Sequence, residues 1–191
     1  MLQSQRKPLL LTLFFYGMTM TETSFLPLTI AVITVSDTRS EADDKSGALL
    51  VQRLQDAGHH LGEKVIVPDD IYQIRAIVSR LIADPNTHAV ILTGGTGVTG
   101  RDGTPEAISV LLDKEIEGFG EIFRQISYQE IGSSSLQSRA LAGVANATYV
   151  FSLPGSSGAC KTAWDNIIQA QLDLRTRPCN LAMLIPRLKE K

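Results

Sequence analysis

Apolar and polar positions follow two distinct rhythms along the chain. Residues 28–35 and 89–92 are continuously apolar and rich in β-branched side chains, which is typical of strands covered on both faces. Residues 46–57 and 71–83 instead repeat apolar side chains every three or four positions, as a helix with one buried face does. A further strand is predicted at residues 61–67. Strands that alternate with helices in this way indicate a layered α/β domain with a mainly parallel sheet.

The second half of the chain continues the alternation. Pro105 suits the first turn of a helix, and the segment EAISVLLDKEI extends that predicted helix. A short helix is predicted at residues 118–127, behind a hinge of two glycines. Residues 139–155 form two apolar runs divided by Asn146, which indicates a hairpin or paired strands, and a last helix is predicted at residues 159–173. The predicted fold is a three-layer αβα sandwich around a mainly parallel sheet.

Length and composition fit one globular domain. At 191 residues the chain is long enough for a single core, which we place at residues 26–191. Apolar residues make up 43% and charged residues 20%, and the net charge is −2, so no basic surface is predicted and binding to nucleic acid is not expected. Cys160 and Cys179 have no partner at metal-ligand spacing, and we expect two free thiols in a reducing cytoplasm.

The first 25 residues differ from the rest. A basic start and a short apolar run at residues 9–16 imitate a signal peptide. The run is too short to span a bilayer, which needs about 20 apolar residues, and no small-residue cleavage site follows it. Met18 and Met20 offer natural starts for a cytoplasmic protein without a membrane segment. We therefore expect residues 1–25 to be a disordered extension, or sequence upstream of the true start codon.

The segment GTGVTG, residues 95–100, raises the question of a dinucleotide site. It fits the G-x-G-x-x-G pattern, so a nicotinamide-dependent oxidoreductase stays open as an alternative. Three features disfavour that enzyme class. The motif follows the third strand rather than the first, the acids about 20 residues further on lie in a helical stretch, and the next helix begins several residues after the last glycine. A Walker loop is excluded because no Gly-Lys-Ser/Thr follows.

The glycines nevertheless predict an anion site. Gly94, Gly95 and Gly97 permit a close backbone approach, so that several N–H groups can converge, and Thr96 adds a hydroxyl donor. In an open α/β sheet this loop lies at the carboxyl edge of the strands, where ligands bind. The Arg-Asp pair at residues 101–102 is well placed to handle a phosphate and its metal.

Two further segments fall at the same predicted edge. The first strand ends in Ser36 and Asp37. A late strand leaves through Gly155 and enters the last helix behind Ser156, which is an anion site of the helix N-terminus kind. Two phosphate-suited loops at one edge indicate a ligand with phosphate at two places, or two ligands joined there.

Seven segments in order, TVSDTR, DDKSG, VPDD, TGGTG, RDGTPEA, EGFGEIFR and LPGS, resemble the MoaB/MogA family of molybdenum cofactor biosynthesis. The likeness covers residues 28–180, and IGSSSLQSRALAGVAN is more similar to the MoaB branch. It implies a MogA-like molybdopterin-binding fold. It also implies an adenylyltransferase, since active members transfer AMP from Mg-ATP to the terminal phosphate of molybdopterin and release pyrophosphate. ATP and molybdopterin would then be the substrates, with Mg²⁺ as the metal.

The resemblance also assigns roles to residues. Asp69 of VPDD and Asp102 of RDGTPEA would be catalytic and would position magnesium, which takes one or two carboxylates plus phosphate oxygens. The predicted substrate-binding residues comprise the cradle for the nucleotide phosphates, the adjoining pocket and the following helix start: Gly94, Gly95, Thr96 and Gly97, then Ser36, Asp37, Gly155 and Ser156, then Thr104 and Glu106.

Simpler readings of the same residues stay open. Asp69 could be only a helix N-cap, and Asp102 only a turn residue paired with Arg101. Some MoaB proteins lack one or both acids, so a non-catalytic molybdopterin carrier or scaffold is the alternative function, although this sequence keeps both. The family forms trimers and hexamers, for which the segment EGFGEIF is a candidate contact, and the product would pass to a molybdenum-inserting protein.

Overall fold

The computed structural model describes residues 24–190. The predicted N-terminal extension therefore lies almost entirely outside the described residues and stays a prediction. Within the described part of the chain, no helix is both long and apolar enough to cross a membrane. Residues 24–190 form six strands, namely β1 (Thr29–Val35), β2 (His60–Val67), β3 (Ala89–Thr93), β4 (Lys114–Glu115), β5 (Leu141–Ala145) and β6 (Thr148–Leu153).

All six strands form one mixed sheet in the order β2-β1-β3-β6-β5-β4. The first four strands of this order are parallel neighbours, whereas β5 runs antiparallel to both β6 and β4. The chain moves from β1 outward to β2 and then returns to β3 on the other side of β1. That reversal is a topological switch point, and ligands of open α/β sheets bind just beyond the carboxyl ends of the strands at such a point.

Helices cover both faces of the sheet. They are α1 (Lys45–Asp56), α2 (Ile71–Ala83), α3 (Thr104–Ser109), α4 (Glu117–Ile131) and α5 (Ser157–Ala163), which continues through a π-helical turn (Trp164–Ile168) into α6 (Gln169–Leu172). Alternate residues of β1 enter separate cores. Ile30 and Val32 pack with residues of α1, α4 and α5, while Ala31 and Ile33 pack with residues of α2 and α3. The predicted three-layer sandwich is confirmed.

Two helix predictions after residue 103 need correction. The helix predicted from Pro105 through EAISVLLDKEI ends at Ser109, and Lys114–Glu115 is a strand instead. The N–H of Ile116 donates to the carbonyl of Ala142 at 2.7 Å, so pairing with β5 overrides the helical pattern. The short helix predicted at 118–127 extends over Glu117–Ile131, with its glycines inside the helix rather than in a hinge.

The turn around Asn146 and the last helix agree with the sequence pattern. Asn146 and Ala147 both have positive φ, 46° and 65°, as a two-residue hairpin turn requires, and β5 pairs with β6 on either side. The last helix begins at Ser157, two residues before the predicted start, and the side chain of Trp164 is buried on its inner face.

A buried carboxylate, Asp44, ties the start of α1 to the sheet. One oxygen accepts from the Thr34 hydroxyl at 2.8 Å and pairs with Lys64 Nζ at 3.0 Å, and the other accepts from the Gly47 N–H at 2.9 Å. Burial by itself would raise the pKa of Asp44, but the hydrogen bonds from Gly47, Lys64 and Thr34 outweigh it and lower the pKa below its usual value. The residue therefore stays ionised in the core.

We expect Asp44→Ala to lower the free energy of unfolding at pH 7 by about 3 kcal/mol, because Lys64 loses a buried partner and α1 loses its N-cap. A folded-state pKa below the unfolded value stabilises the protein above the unfolded pKa, and this contribution is lost as pH falls through the folded pKa. The difference between wild type and variant should therefore shrink below about pH 4. Urea unfolding at several pH values measures it.

The exposed neighbour Asp43 provides the control, since its carboxylate bonds Ser40 at the surface. Asp43→Ala should change the unfolding free energy by less than about 1 kcal/mol. Equal unfolding midpoints for Asp44→Ala and wild type at pH 7 would contradict the role given to Asp44.

Candidate active site at the carboxyl edge of the sheet

The two predicted phosphate loops meet at the carboxyl edge of the sheet. The N–H of Gly94 donates to the carbonyl of Leu153 at 3.0 Å, and the hydroxyl of Thr93 donates to the carbonyl of Pro154 at 3.0 Å. A Cβ on Gly155 would lie 3.3 Å from the Cα of Gly94, so the loops touch backbone to backbone. The prediction that the β3–α3 and β6–α5 loops lie at the same edge of the sheet is confirmed.

Cys160 lies beneath this junction. Its sulfur is 3.1 Å from the Thr93 hydroxyl and the residue is fully buried, so that burial raises the pKa of the thiol to about 11. Cys160 and Cys179 are both free thiols, as predicted. The buried thiol supports the loop junction by packing and has no reactive thiolate.

A cavity of about 580 Å³ opens above the junction. Eight of the predicted site residues border it: Ser36, Gly94, Gly95, Thr96, Gly97, Asp102, Gly155 and Ser156. Ser156 also caps α5, since its hydroxyl accepts from the N–H of Ala159 at 3.2 Å. Four predicted site residues lie outside this lining, namely Asp37, Asp69, Thr104 and Glu106.

Asp102 stands on the cavity wall next to the glycine loop. Its Oδ2 accepts from the hydroxyl and the N–H of Thr99, at 2.5 and 2.8 Å, and the Thr99 hydroxyl is the main cause that lowers the pKa of Asp102. The carboxylate is therefore charged at neutral pH. It is not paired with Arg101, whose guanidinium contacts Asp37 instead, so the reading of Asp102 as the partner of Arg101 is wrong.

Asp69 lies on the other side of the glycine loop. Its Oδ1 accepts from the N–H of Gly103 at 3.2 Å, and a Cβ on Gly95 would be 2.7 Å from its Oδ2. Burial raises the pKa of Asp69, and the charges of Asp102 and Asp37 raise it further. The two acids thus influence each other electrostatically, but Asp69 borders a separate shallow depression and not the main cavity.

The helix cap at the start of α2 is the neighbouring residue. Asp70 accepts from the N–H groups of Tyr72 and Gln73 at 3.0 and 2.9 Å. The reading of Asp69 as an N-cap is therefore wrong. Asp69 instead joins two predicted site segments, because its N–H donates to Oδ1 of Asp37 at 3.2 Å and its side chain contacts the glycine loop.

Thr104 and Glu106 hold the loop from the helix side. The buried Thr104 hydroxyl donates to the carbonyl of Gly94 at 2.9 Å, and Glu106 forms an ion pair with Arg139. Arg139 in turn donates to the carbonyls of Gly97 and Asp102, at 2.7 and 2.6 Å. These residues fix the shape of the glycine loop and leave its inner surface open.

Sequence reasoning missed two arginines of this site. Arg139 is the first, and Arg39 is the second, donating to the carbonyl of Gly155 at 2.9 Å and to the hydroxyl of Ser46 at 2.6 Å on the cavity wall. Arg39 stands in the segment TVSDTR, but nothing in the sequence indicates its partner 116 residues away. The distance along the chain hides both contacts.

A third wall of the cavity was also missed. It comes from the end of α4 and the 3₁₀ turn that follows (Gly132–Gln137), and its members are Phe123, Ser127, Glu130, Ile131, Ser134, Ser135, Gln137 and Ser138. The run SSSLQS is the one sequence signal for it, because hydroxyl-rich segments suit a polar lining better than a core.

Comparison with known proteins now decides the family. Residues 31–174 match the family model described as "Probable molybdopterin binding domain". The chain belongs to the MoaB/MogA family. It is 54% identical over 173 residues to molybdenum cofactor biosynthesis protein B of Escherichia coli strain K12, a match that covers 91% of this chain and all of that protein.

Solved structures of MoaB proteins agree. A crystal structure of molybdenum cofactor biosynthesis protein B superimposes with a TM-score of 0.76 at 46% identity, covering 78% of this chain and 94% of that one. The tungsten cofactor synthesizing protein MoaB of Pyrococcus furiosus gives a TM-score of 0.68 at 41% identity, with 74% and 90% covered. The predicted family and fold are confirmed, and this MoaB/MogA member is a molybdenum cofactor biosynthesis protein with a molybdopterin-binding domain.

The donor set fits a magnesium ion that arrives with a nucleotide. In residues 24–190 no group of three or more His, Cys, Asp or Glu is arranged to hold a metal. At the glycine loop the cavity lining instead offers the Asp102 carboxylate, whereas its other described carboxylate, Glu130, comes from the end of α4. That set suits Mg²⁺ bound to a triphosphate, because the phosphate oxygens and water supply most of its ligands.

Proposed function

We propose that this MoaB/MogA member adenylates molybdopterin with Mg-ATP and releases pyrophosphate. The observation that carries the proposal is the convergence of two phosphate-suited loops on one cavity with the Asp102 carboxylate on its wall. One substrate brings a triphosphate and the other a terminal phosphate, so the reaction needs two anion sites side by side. A carrier of molybdopterin alone needs only one.

The chemistry asks the protein mainly for alignment. An oxygen of the molybdopterin phosphate attacks the α-phosphorus of ATP, the bond from that phosphorus to the bridging oxygen breaks, and pyrophosphate leaves with the negative charge. Bound Mg²⁺ would neutralise charge on the phosphates. Gly95, Thr96 and Gly97 would cradle the nucleotide phosphates, and Gly94, whose N–H is already bonded to the carbonyl of Leu153, would fix the path of the loop. Gly155 and Ser156 at the start of α5 would hold the phosphate of the pterin.

The two acids take different positions in this proposal. Asp102 borders the cavity and would position the magnesium-bound phosphates there. Asp69 would act from the far side of Gly95, adding negative charge near the magnesium and holding the N–H of Gly103. Ser36 would complete the pocket wall, while Asp37, outside the cavity lining, would support the site through its bonds to Arg101 and to the N–H of Asp69. Thr104 and Glu106 would keep the loop in shape.

Assembly and transfer belong to the same proposal. We infer a homo-trimer or a hexamer, and a molybdenum-inserting protein as the recipient of the product. Within EGFGEIF, Phe119 and Phe123 are buried in the core of the chain, whereas Ile122 is 48% exposed. Ile122 is therefore the apolar residue of that segment that is free to contact another subunit.

Pyrophosphate release tests the function directly. The purified protein, given Mg-ATP and molybdopterin, should release one pyrophosphate for each adenylated molybdopterin, and neither substrate alone should give release. Molybdopterin binding without pyrophosphate would favour the carrier. Quenching of NADPH fluorescence in place of both would favour the oxidoreductase.

A further inference from the structure

The two ends of the cavity differ in chemistry. Among the described residues that line it, the charged side chains are Arg39, Asp102 and Glu130. Arg39 and Asp102 lie at the loops that follow the strands. Glu130 lies on the wall formed by the carboxyl end of α4, which also contributes Ser127, and Ser134 of the following turn lines the same cavity.

Glu130 is anchored in place. Its Oε2 accepts from the hydroxyl of Thr162 at 2.7 Å, and Thr162 is 4% exposed on α5. A carboxylate has about four lone-pair sites on its two oxygens, so one bond to Thr162 leaves acceptor capacity for a ligand. Phe123 and Ile131 supply apolar surface on the same wall. A flat ring with hydrogen-bond donors on its edge fits these surroundings.

Helix geometry sets the distance between the two ends. Ser156 caps α5 at the phosphate-suited loop, and Thr162 follows six residues later. At about 1.5 Å of rise per residue, Thr162 lies about 9 Å further along the helix. A fused ring system with a short phosphate arm spans a distance of that order, so one ligand can reach both ends.

We propose that the Glu130 carboxylate binds the hydrogen-bond donors of a 2-amino-4-oxo-pyrimidine ring in the ligand. This contact would orient the ligand so that its phosphate points toward Ser156. The ring N–H and the 2-amino group are parallel donors that a carboxylate can accept together, as it accepts a guanidinium. The inference rests on the proposed function, because molybdopterin, the substrate adenylated in that function, is a pterin. Guanine presents the same edge, and the experiment must separate the two.

Binding by fluorescence, without ATP, tests the assignment. The probes are 6-hydroxymethylpterin phosphate and 6-hydroxymethyllumazine phosphate, which has an oxygen in place of the 2-amino group. Wild type should bind the pterin at least about tenfold more tightly. Glu130→Gln, which still accepts from Thr162, should lose that preference and change lumazine binding by less than about threefold. Equal preference in Glu130→Gln and wild type would overturn the proposal.

Two variants make the result specific. Glu121→Gln removes an exposed carboxylate from the same helix outside the cavity and should keep the wild-type preference. Thr162→Val frees Glu130 without changing its charge and should weaken the preference in part. If both Thr162→Val and Glu130→Gln keep the wild-type preference for the pterin over the lumazine, the anchored Glu130 carboxylate does not determine that preference and the proposal is refuted.

Three further outcomes test the assignment, and the last two separate it from the adenylation proposal. Guanosine monophosphate should compete with the pterin only at concentrations about tenfold higher or more, and equal competition would overturn the assignment to a pterin. If the wild type releases pyrophosphate with molybdopterin but binds the two fluorescent probes equally, the role of Glu130 is refuted and the adenylation proposal is retained. If the pterin preference depends on Glu130 but no pyrophosphate is released, the role of Glu130 is retained and the adenylation proposal is refuted.

Discussion

Replacing Asp102 with asparagine is expected to slow AMP transfer by a factor of about 10² to 10³, the cost of losing one preorganised charged group at a reacting phosphate. The substitution removes the charge and keeps the shape. The amide oxygen can still accept from the N–H and hydroxyl of Thr99, which hold Oδ2 in the native protein at 2.8 and 2.5 Å. The amide NH₂ would then replace the carboxylate oxygen that, in the proposed mechanism, would face the magnesium-bound phosphates.

The measurement is the single-turnover rate of pyrophosphate release at saturating Mg-ATP and molybdopterin, together with molybdopterin affinity. The affinity should change much less than the rate, because the pterin end of the cavity is untouched. Asp113→Asn is the matched control. Its carboxylate accepts from the N–H of Asn146 at 2.7 Å, at the hairpin turn before β6 and far from the loops that follow the strands. A rate for Asp102→Asn within threefold of that control would remove Asp102 from the mechanism.

Gly94→Ala should lower the free energy of unfolding by about 3 kcal/mol and abolish AMP transfer. Gly94 has φ of +114°, and an added Cβ would lie 2.2 Å from the carbonyl oxygen of Val35, which is backbone at the end of β1 and cannot rotate away. The loop must therefore shift, and the bond from Gly94 to Leu153 that joins the two phosphate loops shifts with it.

The same loop provides its own control. A Cβ on Gly100 meets nothing within 4 Å, and Gly100 has no positive φ. Gly100→Ala should change stability by less than about 0.5 kcal/mol. Urea unfolding of the three proteins measures the difference. Similar midpoints for the two alanine variants would show that the junction tolerates a side chain at Gly94.

The sequence predicted those parts of the fold that depend on local pattern. The buried runs gave β1 and β3, and the helical spacing gave α2 with its observed bounds, Ile71–Ala83. Strand ends followed by glycine and serine loops predicted which segments would share an edge, because parallel strands finish at the same side of a sheet. These are rules of periodicity and topology that need no knowledge of distant contacts.

Features that depend on distant partners were out of reach. Residues 110–116 have a helical pattern, but the backbone of residues 113–116 pairs with β5, and local preference cannot reveal a partner strand. VPDD offers two adjacent acids, and only the path of the chain assigns the cap to Asp70 and leaves Asp69 against Gly95. The contacts of Arg39 and Arg139 depend in the same way on loops that meet in space.

The reversed direction of β5 has a consequence for how such a site can diversify. Because β5 is antiparallel to β6, the first residue of β5 lies beside the end of β6. The 3₁₀ turn that precedes β5 therefore lines the cavity. An all-parallel arrangement would have left that side open to water. The turn connects α4 to a strand near the sheet margin, so its sequence and length can vary with little cost to the central strands. Exchange of Gly132–Gln137 between relatives is thus a route to new ligand selectivity without a change in the central strands.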